Sequence, residues 1–304
     1  MPLTVIILTY NSEASLEKVI LSCHEIASRI LVVDSYSDDS TPKIAQSHGC
    51  EFVQHPFENY ARQRNWAQTY AALDKGEWVL HLDSDEVLSE ELRESMKAAL
   101  EKDTPETEGF LVRRLSYFLG RPIRYGHINP SWHLRLFRAE CGQCEDRLYD
   151  QHYIVKGKTE RLRGELLDLQ ITTLERWTQA HNRWSSAEML EVLQRVEAEE
   201  RESEGQLKAS LTGDIRMKKR WLKNNIWYRL PLMSRSFLFF AYSYFFRLGF
   251  LDGKEGAIYH VLQSFWFRFL VDAKIYEARQ IAFQNGGGRM SENVALPIAP
   301  ESKK

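Results

Sequence analysis

Three acidic side chains, Asp83, Asp85 and Glu86, lie within four positions directly after an apolar run at residues 78–82. That run has the length and composition of a buried strand. Carboxylates crowded at a strand end repel one another, so a positive group is expected among them. A hard divalent cation suits the position, because Mg²⁺ takes one or two carboxylates and completes its shell with water and phosphate oxygens. The alternative is an acidic loop that only solvates the strand end.

Two earlier apolar runs also end in polar residues, at Thr9 and at Asp34. Apolar runs that alternate with segments of helical periodicity favour a doubly wound parallel sheet. Ligands of such sheets bind at the carboxyl ends of the strands, so Thr9, Asp34 and Asp83 are expected to meet there. The predicted strands are 3–8, 30–33, 51–54 and 78–82, and the predicted helices are 16–26, 41–48, 59–73 and a stretch that begins after Ser89.

Four segments around these positions resemble, in order and spacing, the nucleotide-binding half of family 2 glycosyltransferases. They are IILTYNSE at 6–13, ILVVDSYSDDST at 30–41, ARQRNWA at 61–67 and HLDSDE at 81–86. Members of that family have a GT-A fold and transfer a sugar with inversion from a nucleotide diphosphate, using a divalent metal at a D-x-D motif. The resemblance therefore implies an α/β protein with a Rossmann-like, mostly parallel GT-A sheet and flanking helices, to which this chain adds C-terminal amphipathic helices.

The resemblance also implies roles for individual residues. Asp83 and Asp85 would hold Mg²⁺ or Mn²⁺ on the diphosphate of the donor. Many relatives have a second acid where this chain has Ser35, and this departure leaves the preferred nucleobase open. For the arginines of the 59–73 helix, the alternative is a solvated helix face. The implied nucleotide-sugar contacts are Thr9, Tyr10, Asn11, Asp34, Arg64, Asp83 and Ser84.

The middle region, residues 109–169, has shorter runs punctuated by Gly and Pro, which indicates strands and hairpins. Residues 132–168 resemble the corresponding region of glycosyltransferases that act on lipopolysaccharide core and related cell-surface glycans. In the family this half builds the acceptor side and supplies the base. Relatives often carry Val-His-Glu where this chain has residues 149–151, and Gln151 cannot accept a proton as a carboxylate does. The base must then be a neighbour of Gln151.

Asp150 and Asp146 rank nearly level as that base, and Glu145 is a third candidate. Asp150 adjoins Gln151, whereas Glu145 with Asp146 is similar to the Glu-Asp pair that many family members use. The alternative for each is a surface carboxylate or an ion-pair partner of a nearby arginine. The nearby arginines are Arg135, Arg138 and Arg147.

A long helix is predicted over residues 173–200, and it contains a His-Asn-Arg-Trp segment similar to one in relatives. Arg183 can neutralise the departing diphosphate, because a planar guanidinium matches phosphate oxygens. Trp184 can offer a stacking face. In the alternative, the helix packs Trp184 into its core and leaves Arg183 in solvent.

The last third of the chain is basic and aromatic. Residues 205–280 contain 13 Lys and Arg against 5 Asp and Glu, a local balance of +8 within a chain whose net charge is −2. Residues 230–251 and 257–278 are rich in aromatics but interrupted by arginines, which favours two interfacial or re-entrant helices at a membrane surface. The alternative is a helical cap on the catalytic core. Residues 285–304 are predicted to be a disordered tail.

Composition narrows the class of protein further. With 43% hydrophobic and 27% charged residues, the chain can bury a sizeable core. Its near-neutral charge gives no overall attraction to nucleic acid. Cys141 and Cys144 have the spacing of half a zinc site, but no second pair follows. We expect no signal peptide, since a strand begins at once, and we therefore expect the cytoplasmic face of a membrane as the location.

The sequence therefore predicts an inverting, metal-dependent glycosyltransferase. Its donor is a nucleotide-diphosphate sugar, and its acceptor is a lipid-linked or lipopolysaccharide-type glycan of cell-surface polysaccharide synthesis. The alternatives are a non-catalytic scaffold that binds nucleotide sugars and a sugar nucleotidyltransferase, although a Gly-rich phosphate loop after the first strand is missing. The predicted divisions are 1–204 for the catalytic domain (1–104 for the nucleotide half, 105–204 for the acceptor half), 205–284 for the membrane-associating region and 285–304 for the tail.

Overall fold

The computed structural model describes residues 2–197, 207 and 209–284. The described residues form two compact units. The first unit contains the residues through Pro122 together with Pro130–Glu145 and His152–Ile171, and the second contains Ile123–Asn129, Asp146–Gln151 and the residues from Thr172 onward. The second unit therefore takes two short segments from the middle of the chain, and the predicted functional division at residue 204 stays a prediction.

All strands belong to the first unit. They are β1 Leu3–Thr9, β2 Arg29–Asp34, β3 Glu51–Gln54, β4 Trp78–Asp83, β5 Glu86–Leu88, β6 Thr107–Phe118, β7 Arg121–Pro122, β8 Ser131–Arg138, β9 Gly142–Cys144, β10 Tyr153–Val155 and β11 Lys158–Asp168. The helices of this unit are α1 Leu16–Cys23, α2 Thr41–Ser47, α3 Tyr60–Tyr70 and α4 Glu90–Lys102. The strands and hairpins predicted for residues 109–169 are confirmed.

The main sheet has the strand order β3–β2–β1–β4–β8–β6–β11–β5. The first four strands are parallel, as are β6 and β11, whereas β8 runs antiparallel to both β4 and β6. The expected α/β class with a Rossmann-like, mostly parallel GT-A sheet is confirmed. The small β7 continues β6 as a hairpin, and β9 pairs with β10 in a separate ribbon.

Both faces of the parallel strands are buried, which explains why these strands read as continuous apolar runs. On one face, Val5 and Ile7 of β1 belong to a core cluster with Leu16 of α1 and Met96 of α4. On the other face, Ile6 packs in a second cluster with residues of β2 and α3. Because successive side chains of a strand point to opposite faces, one strand supplies both clusters.

Three predicted boundaries of this unit need correction, and the first is the helix predicted over 16–26, which ends at Cys23. The helix predicted over 59–73 is shorter, Tyr60–Tyr70, and the side chain of Asn59 caps its start by accepting a hydrogen bond from the Arg62 amide at 2.9 Å. The chain after Asp85 does not enter a helix directly. It first forms β5, which pairs antiparallel with the end of β11, a partner about 80 residues further along that local pattern cannot reveal.

The second unit is helical. Its helices are α5 Leu174–Glu197, α6 Ile215–Asn225, α7 Ser234–Ala241, α8 Gly253–Tyr259 and α9 Phe267–Gln284. Its core lies between α5 and α9, where Leu190 and Leu193 pack with Phe267 and Ile275. Residues 198–200 of the predicted 173–200 helix and the predicted tail at 285–304 lie outside the described residues.

The two predicted aromatic helices have different bounds in the structure. The stretch 230–251 is broken into α7, a π-helical segment Tyr242–Phe246 and a 3₁₀ turn Gly249–Asp252. The second stretch, 257–278, begins within α8, which continues through a second π-helical segment, His260–Trp266, into α9. A buried ion pair between Arg235 and Asp272 accounts for one of the arginines that the sequence places inside an aromatic stretch.

Candidate active site

The parallel register of three strands places the predicted polar residues at one edge of the sheet. Thr9 at the end of β1 lies opposite Asp34 of β2, and Leu8 lies opposite Asp83 of β4. Because parallel strands end on the same side, Thr9, Asp34 and Asp83 come together as expected. This arrangement confirms that the carboxyl edge collects the polar groups, while their contacts with a donor stay predictions.

The carboxylate of Asp34 is fully buried and organises the turns around it. It accepts hydrogen bonds from the Thr9 hydroxyl at 3.0 Å, the Ser37 amide at 2.8 Å and the Gln54 side chain at 3.1 Å. Since the ionised carboxylate only accepts, these donors satisfy much of its capacity. Asp34 therefore fixes the shape of the turn after β2.

The turn after β1 is fixed by its own polar groups. Asn11 has a left-handed φ of 48°, and its amide donates to the Ser37 hydroxyl at 2.8 Å. The hydroxyls of Ser12 and Ser84 are 2.7 Å apart, so this turn is joined to the acidic turn after β4. Tyr10 is exposed. Left-handed backbone at a residue other than Gly is sparsely populated and often marks a functional turn.

Asp83 lies between two buried guanidinium groups. Its carboxylate is 3.0 Å from Arg64 and 2.9 Å from Arg135. Burial acts to raise the pKa of Asp83, but the charges of Arg135 and Arg64 prevail and hold that pKa well below its usual range. Arg64 therefore lies at the predicted site, in contact with the first acid of the D-x-D motif.

Asp85 has the opposite electrostatic environment. Burial raises the pKa of the Asp85 carboxyl well above its usual range, and the negative charges of Asp168, Asp83 and Glu86 raise it further. Arg114 opposes that shift only in part. Asp85 is consequently the carboxylate of this edge whose charge the protein compensates least, and its ionised form would be stabilised by a bound cation.

Sequence reasoning missed three members of this acidic cluster. Arg135 of β8 is 2.6 Å from the Glu86 carboxylate, and Asp168 at the end of β11 accepts from the Ser116 hydroxyl at 3.0 Å. Arg114 of β6 lies 3.5 Å from Asp168. One signal was available, because an arginine within the apolar strand run LRLF at 134–137 must find an anionic partner when it is buried.

The donor set suits a hard cation. Four carboxyl groups, from Asp83, Asp85, Glu86 and Asp168, lie near three guanidinium groups, and the pKa of Asp85 is raised well above its usual range. Oxygen ligands with net negative charge are what Mg²⁺ and Mn²⁺ prefer. Within the described ranges, no group of three or more His, Cys, Asp or Glu side chains is arranged to hold a metal ion, so the fit rests on the chemistry of the carboxylate oxygens and on the one or two carboxylates that Mg²⁺ usually takes.

The three candidates for the general base are placed differently. Glu145 is fully buried in the first unit, where its carboxylate accepts from the His152 amide at 2.9 Å. Asp146 and Asp150 belong to the second unit, and both are exposed. Asp150 has a left-handed φ of 57°, and its carboxylate lies 3.6 Å from the Lys223 ammonium group. Asp146 and Asp150 are thus the accessible members of the set.

The two residues predicted to contact the substrate from α5, Arg183 and Trp184, have different environments. Arg183 is exposed, whereas Trp184 packs beside the α5–α9 core with its ring 4.6 Å from that of His181. Close to them, sequence reasoning missed Glu188, a buried carboxylate that lies 2.9 Å from both Lys223 and Arg268. The roles predicted for Arg183 and Trp184 toward the diphosphate stay predictions.

The second unit exposes a large set of apolar side chains between α7 and the end of α9, which we call the aromatic surface. A contiguous exposed apolar patch marks an interaction site, whereas apolar side chains that are exposed singly are ordinary. Among the described residues, no helix is both long and apolar enough to cross a membrane. The members of the aromatic surface are Phe237, Leu238, Tyr242, Phe245, Phe246, Leu248, Phe250, Leu251, Ile258, Val261, Tyr276, Ile281 and Phe283.

Comparison with known proteins gives matches over the first half of the chain and over nearly all of it. Residues 4–153 match the family model described as glycosyl transferase family 2. An uncharacterised glycosyltransferase of Rickettsia bellii is 40% identical over 91 residues, which span 30% of this chain and 30% of that relative. The lipopolysaccharide core biosynthesis glycosyltransferase LpsC of Rhizobium meliloti is 27% identical over 284 residues, 91% of this chain and 93% of the relative.

Among solved structures, the chain is similar to glucosyl-3-phosphoglycerate synthase of Mycobacterium tuberculosis, crystallised with Mn²⁺, UDP and phosphoglyceric acid. That match has 22% sequence identity and a TM-score of 0.30, and it covers 39% of this chain and 44% of the other.

Proposed function

Residues 4–153 belong to glycosyl transferase family 2, and we propose that this chain transfers a sugar, with inversion, from a nucleoside-diphosphate sugar to a glycan acceptor. The observation that carries the proposal is the acidic cluster at the carboxyl edge of β4, where Asp83 is held between Arg64 and Arg135 and Asp85 lies close to three other carboxyl groups. A site of that kind suits a cation and a diphosphate together. Family membership supplies the class of reaction.

On the donor side, Thr9, Asn11 and Asp34 shape the turns that would receive the nucleoside, and Asp83 with Asp85 would hold Mg²⁺ or Mn²⁺. When bound, that ion neutralises charge on the diphosphate. The protein itself contributes charged side chains whose positions are fixed before the donor binds. Arg64 and Arg135 keep the Asp83 carboxylate ionised and oriented, so no rearrangement is needed at the moment of reaction.

On the acceptor side, the carboxylate of Asp150 or of Asp146 takes the proton of the acceptor hydroxyl. That oxygen then forms a bond to the anomeric carbon as the bond from this carbon to the diphosphate oxygen breaks. Attack from the face opposite the leaving group inverts the configuration. Glu145 is not part of this proposal, because its buried carboxylate already accepts a backbone hydrogen bond.

The acceptor that we propose is a lipid-linked or lipopolysaccharide-type glycan at the cytoplasmic face of a membrane. Two observations support this choice. The relative LpsC, matched over 93% of its length, is named for lipopolysaccharide core biosynthesis. The aromatic surface offers exposed rings such as Phe246 and Phe283, which suit the boundary between lipid headgroups and acyl chains.

The test is release of nucleoside diphosphate from a panel of nucleotide sugars by the full chain with Mn²⁺, first alone and then with a lipid-linked glycan fraction. Glycosyl transfer predicts slow release that the acceptor accelerates. A scaffold releases nothing, and a nucleotidyltransferase instead forms pyrophosphate from a nucleoside triphosphate. Either of those results contradicts the proposal.

A further inference from the structure

The loop Asp146–Gln151 carries both accessible candidates for the base, yet none of its residues lies in a helix or strand. Within the second unit, its conformation depends on contacts with two helices. Arg220 of α6 donates to the Asp150 carbonyl at 3.3 Å, and Lys223 of the same helix lies 3.6 Å from the Asp150 carboxylate. Inside the loop, the Gln151 side chain donates to the Arg147 carbonyl at 2.8 Å.

Further contacts of the loop are made with Glu191 of α5. The Tyr149 amide donates to its Oε1 at 2.9 Å, and the Arg147 guanidinium donates to both of its oxygens. Both partners of the Arg147–Glu191 ion pair are largely shielded from solvent. One carboxylate thus holds the loop by a backbone group and by a side chain, a geometry that leaves little freedom to the residues between them.

The backbone at Asp150 shows why such anchoring matters. Its φ of 57° lies in the left-handed region, which costs energy for a residue with a side chain. A strained conformation persists only where its surroundings over-determine it. The contacts of Tyr149 and Arg147 with Glu191 immediately precede Asp150, so they are placed to impose that conformation.

We propose that Glu191, which lies outside every motif recognised in the sequence, is a positioning residue that sets the orientation of the base-bearing loop. The effect of Glu191 on catalysis rests on the proposed function. The ordering of the loop by Glu191 is independent of that function. Glu191 itself touches neither sugar nor diphosphate in this mechanism. It acts through Arg147 and the Tyr149 amide, and a misplacement of the base by about 1 Å can cost on the order of 10²-fold in rate.

The experiment compares the full-length wild-type chain with Glu191→Ala and Glu191→Gln. We expect Glu191→Ala to lower kcat for transfer by about 10²-fold while the dissociation constant of the donor is unchanged. The amides of 146–151 should exchange faster with solvent deuterium in the same protein. Glu191→Gln should fall between, because its amide oxygen can still accept from Tyr149 but cannot form an ion pair with Arg147.

The matched control is Glu175→Ala, which removes an exposed carboxylate from the first turn of the same helix. It should change neither kcat nor the exchange of the loop. A loss of kcat that is accompanied by an equal loss of donor affinity and of thermal stability would indicate general damage and would count against a positioning role.

The proposed function and the role of Glu191 fail in different ways. If the wild type transfers no sugar, the proposed function fails, and the exchange measurement still decides whether Glu191 orders the loop. If wild type and Glu191→Ala show equal exchange over 146–151, or equal kcat, the inference is overturned. Should Glu191→Ala not fold, the same comparison with Glu191→Gln decides the question.

Discussion

The guanidinium of Arg135 lies 2.6 Å from the carboxylate of Glu86, and both side chains are almost fully buried. This pair underlies the acidic edge of the sheet, because the same guanidinium reaches Asp83 at 2.9 Å. Burying a charge is costly unless a partner compensates it, so each member depends on the other. Arg135 thereby holds Asp83 and Glu86 together by its ion pairs with both.

Removing Arg135 should destabilise the protein strongly. Arg135→Met removes the nearer guanidinium from the buried Glu86 carboxylate and leaves only Arg114 at 3.9 Å, and we expect a loss of about 3–5 kcal/mol in the free energy of unfolding. Urea unfolding followed by tryptophan fluorescence measures it. Arg62→Met is the control, since its pair with Glu58 is exposed and should contribute about 0–1 kcal/mol. Adding Glu86→Gln to Arg135→Met should recover part of the loss, and no recovery would contradict the mutual dependence of the pair.

Removing the charge of Asp85 should separate function from stability. Asp85→Asn should lower transfer by at least about 10²-fold, because a neutral amide replaces the carboxyl group proposed to hold the cation at the diphosphate. Donor binding should also lose its dependence on added Mn²⁺. Thermal stability should be unchanged or higher, since the substitution relieves repulsion from Asp168, Asp83 and Glu86.

The matched control for Asp85→Asn is Asp74→Asn, at an exposed carboxylate of the same unit. It should behave as the wild type in donor binding, measured by calorimetry with and without Mn²⁺. Near-normal transfer by Asp85→Asn would refute the proposed role of the acidic turn.

The two accessible carboxylates of the loop should differ in importance. A general base contributes roughly 10²–10⁴-fold to a rate. Of Asp150→Asn and Asp146→Asn, one should therefore lose transfer by that factor and the other should lose little, with the donor dissociation constant unchanged in both. Single-turnover transfer rates give the comparison. Equal and mild losses would mean that the base is another residue.

The buried carboxylate of Glu188 should make stability depend on pH. Burial acts to raise its pKa, but Lys223 and Arg268 lower it below the usual value, so its ionised form favours the folded state. A lowered folded pKa contributes stability above the unfolded value of about 4.3, and this contribution disappears as the pH falls through the folded pKa.

Glu188→Gln should therefore be less stable than the wild type at pH 7, and the difference should narrow below about pH 4. Denaturant unfolding of both proteins at several pH values measures the difference in their free energies of unfolding. The contributions of the other carboxylates are the same in both proteins and cancel in this difference. If this difference stays constant across the pH range, the charge of Glu188 is not what makes the wild type more stable.

The aromatic surface should bind vesicles through its most exposed rings. Phe246 is 80% exposed and Phe283 is 84% exposed. Burying one such ring is worth about 1.5–3 kcal/mol, so Phe246→Ser and Phe283→Ser should each weaken binding by at least about tenfold. Flotation with anionic vesicles tests this.

Salt should weaken the binding of the wild type without abolishing it, because only the contribution of the basic residues is screened. Tyr36→Ser is the control, at a ring 58% exposed in the first unit. Point variants are preferable to deletion of the residues after 229. The second unit also contains Ile123–Asn129 and Asp146–Gln151, so such a deletion would remove only part of that unit. A wild type that ignores vesicles at low salt would contradict the membrane proposal.

The sequence by itself determined the elements whose cause is local. Apolar runs that end in Thr9, Asp34 and Asp83 specify parallel strands and their polar edge, because periodicity and turn residues act over a few positions. The family resemblance of these segments was likewise readable from the motifs alone. These are the parts of the fold and of the candidate site that the structure bears out most directly.

The tertiary structure alone decided what surrounds those residues. Arg135, Arg114 and Asp168 reach the acidic edge through pairing of β8, β6 and β11, and the partners lie some 30 to 80 residues from it along the chain. Such pairings depend on long-range packing, which a local pattern does not encode. The same reason applies to Glu191, which lies outside every motif recognised in the sequence. It anchors the base-bearing loop only because Asp146–Gln151 folds into the helical unit.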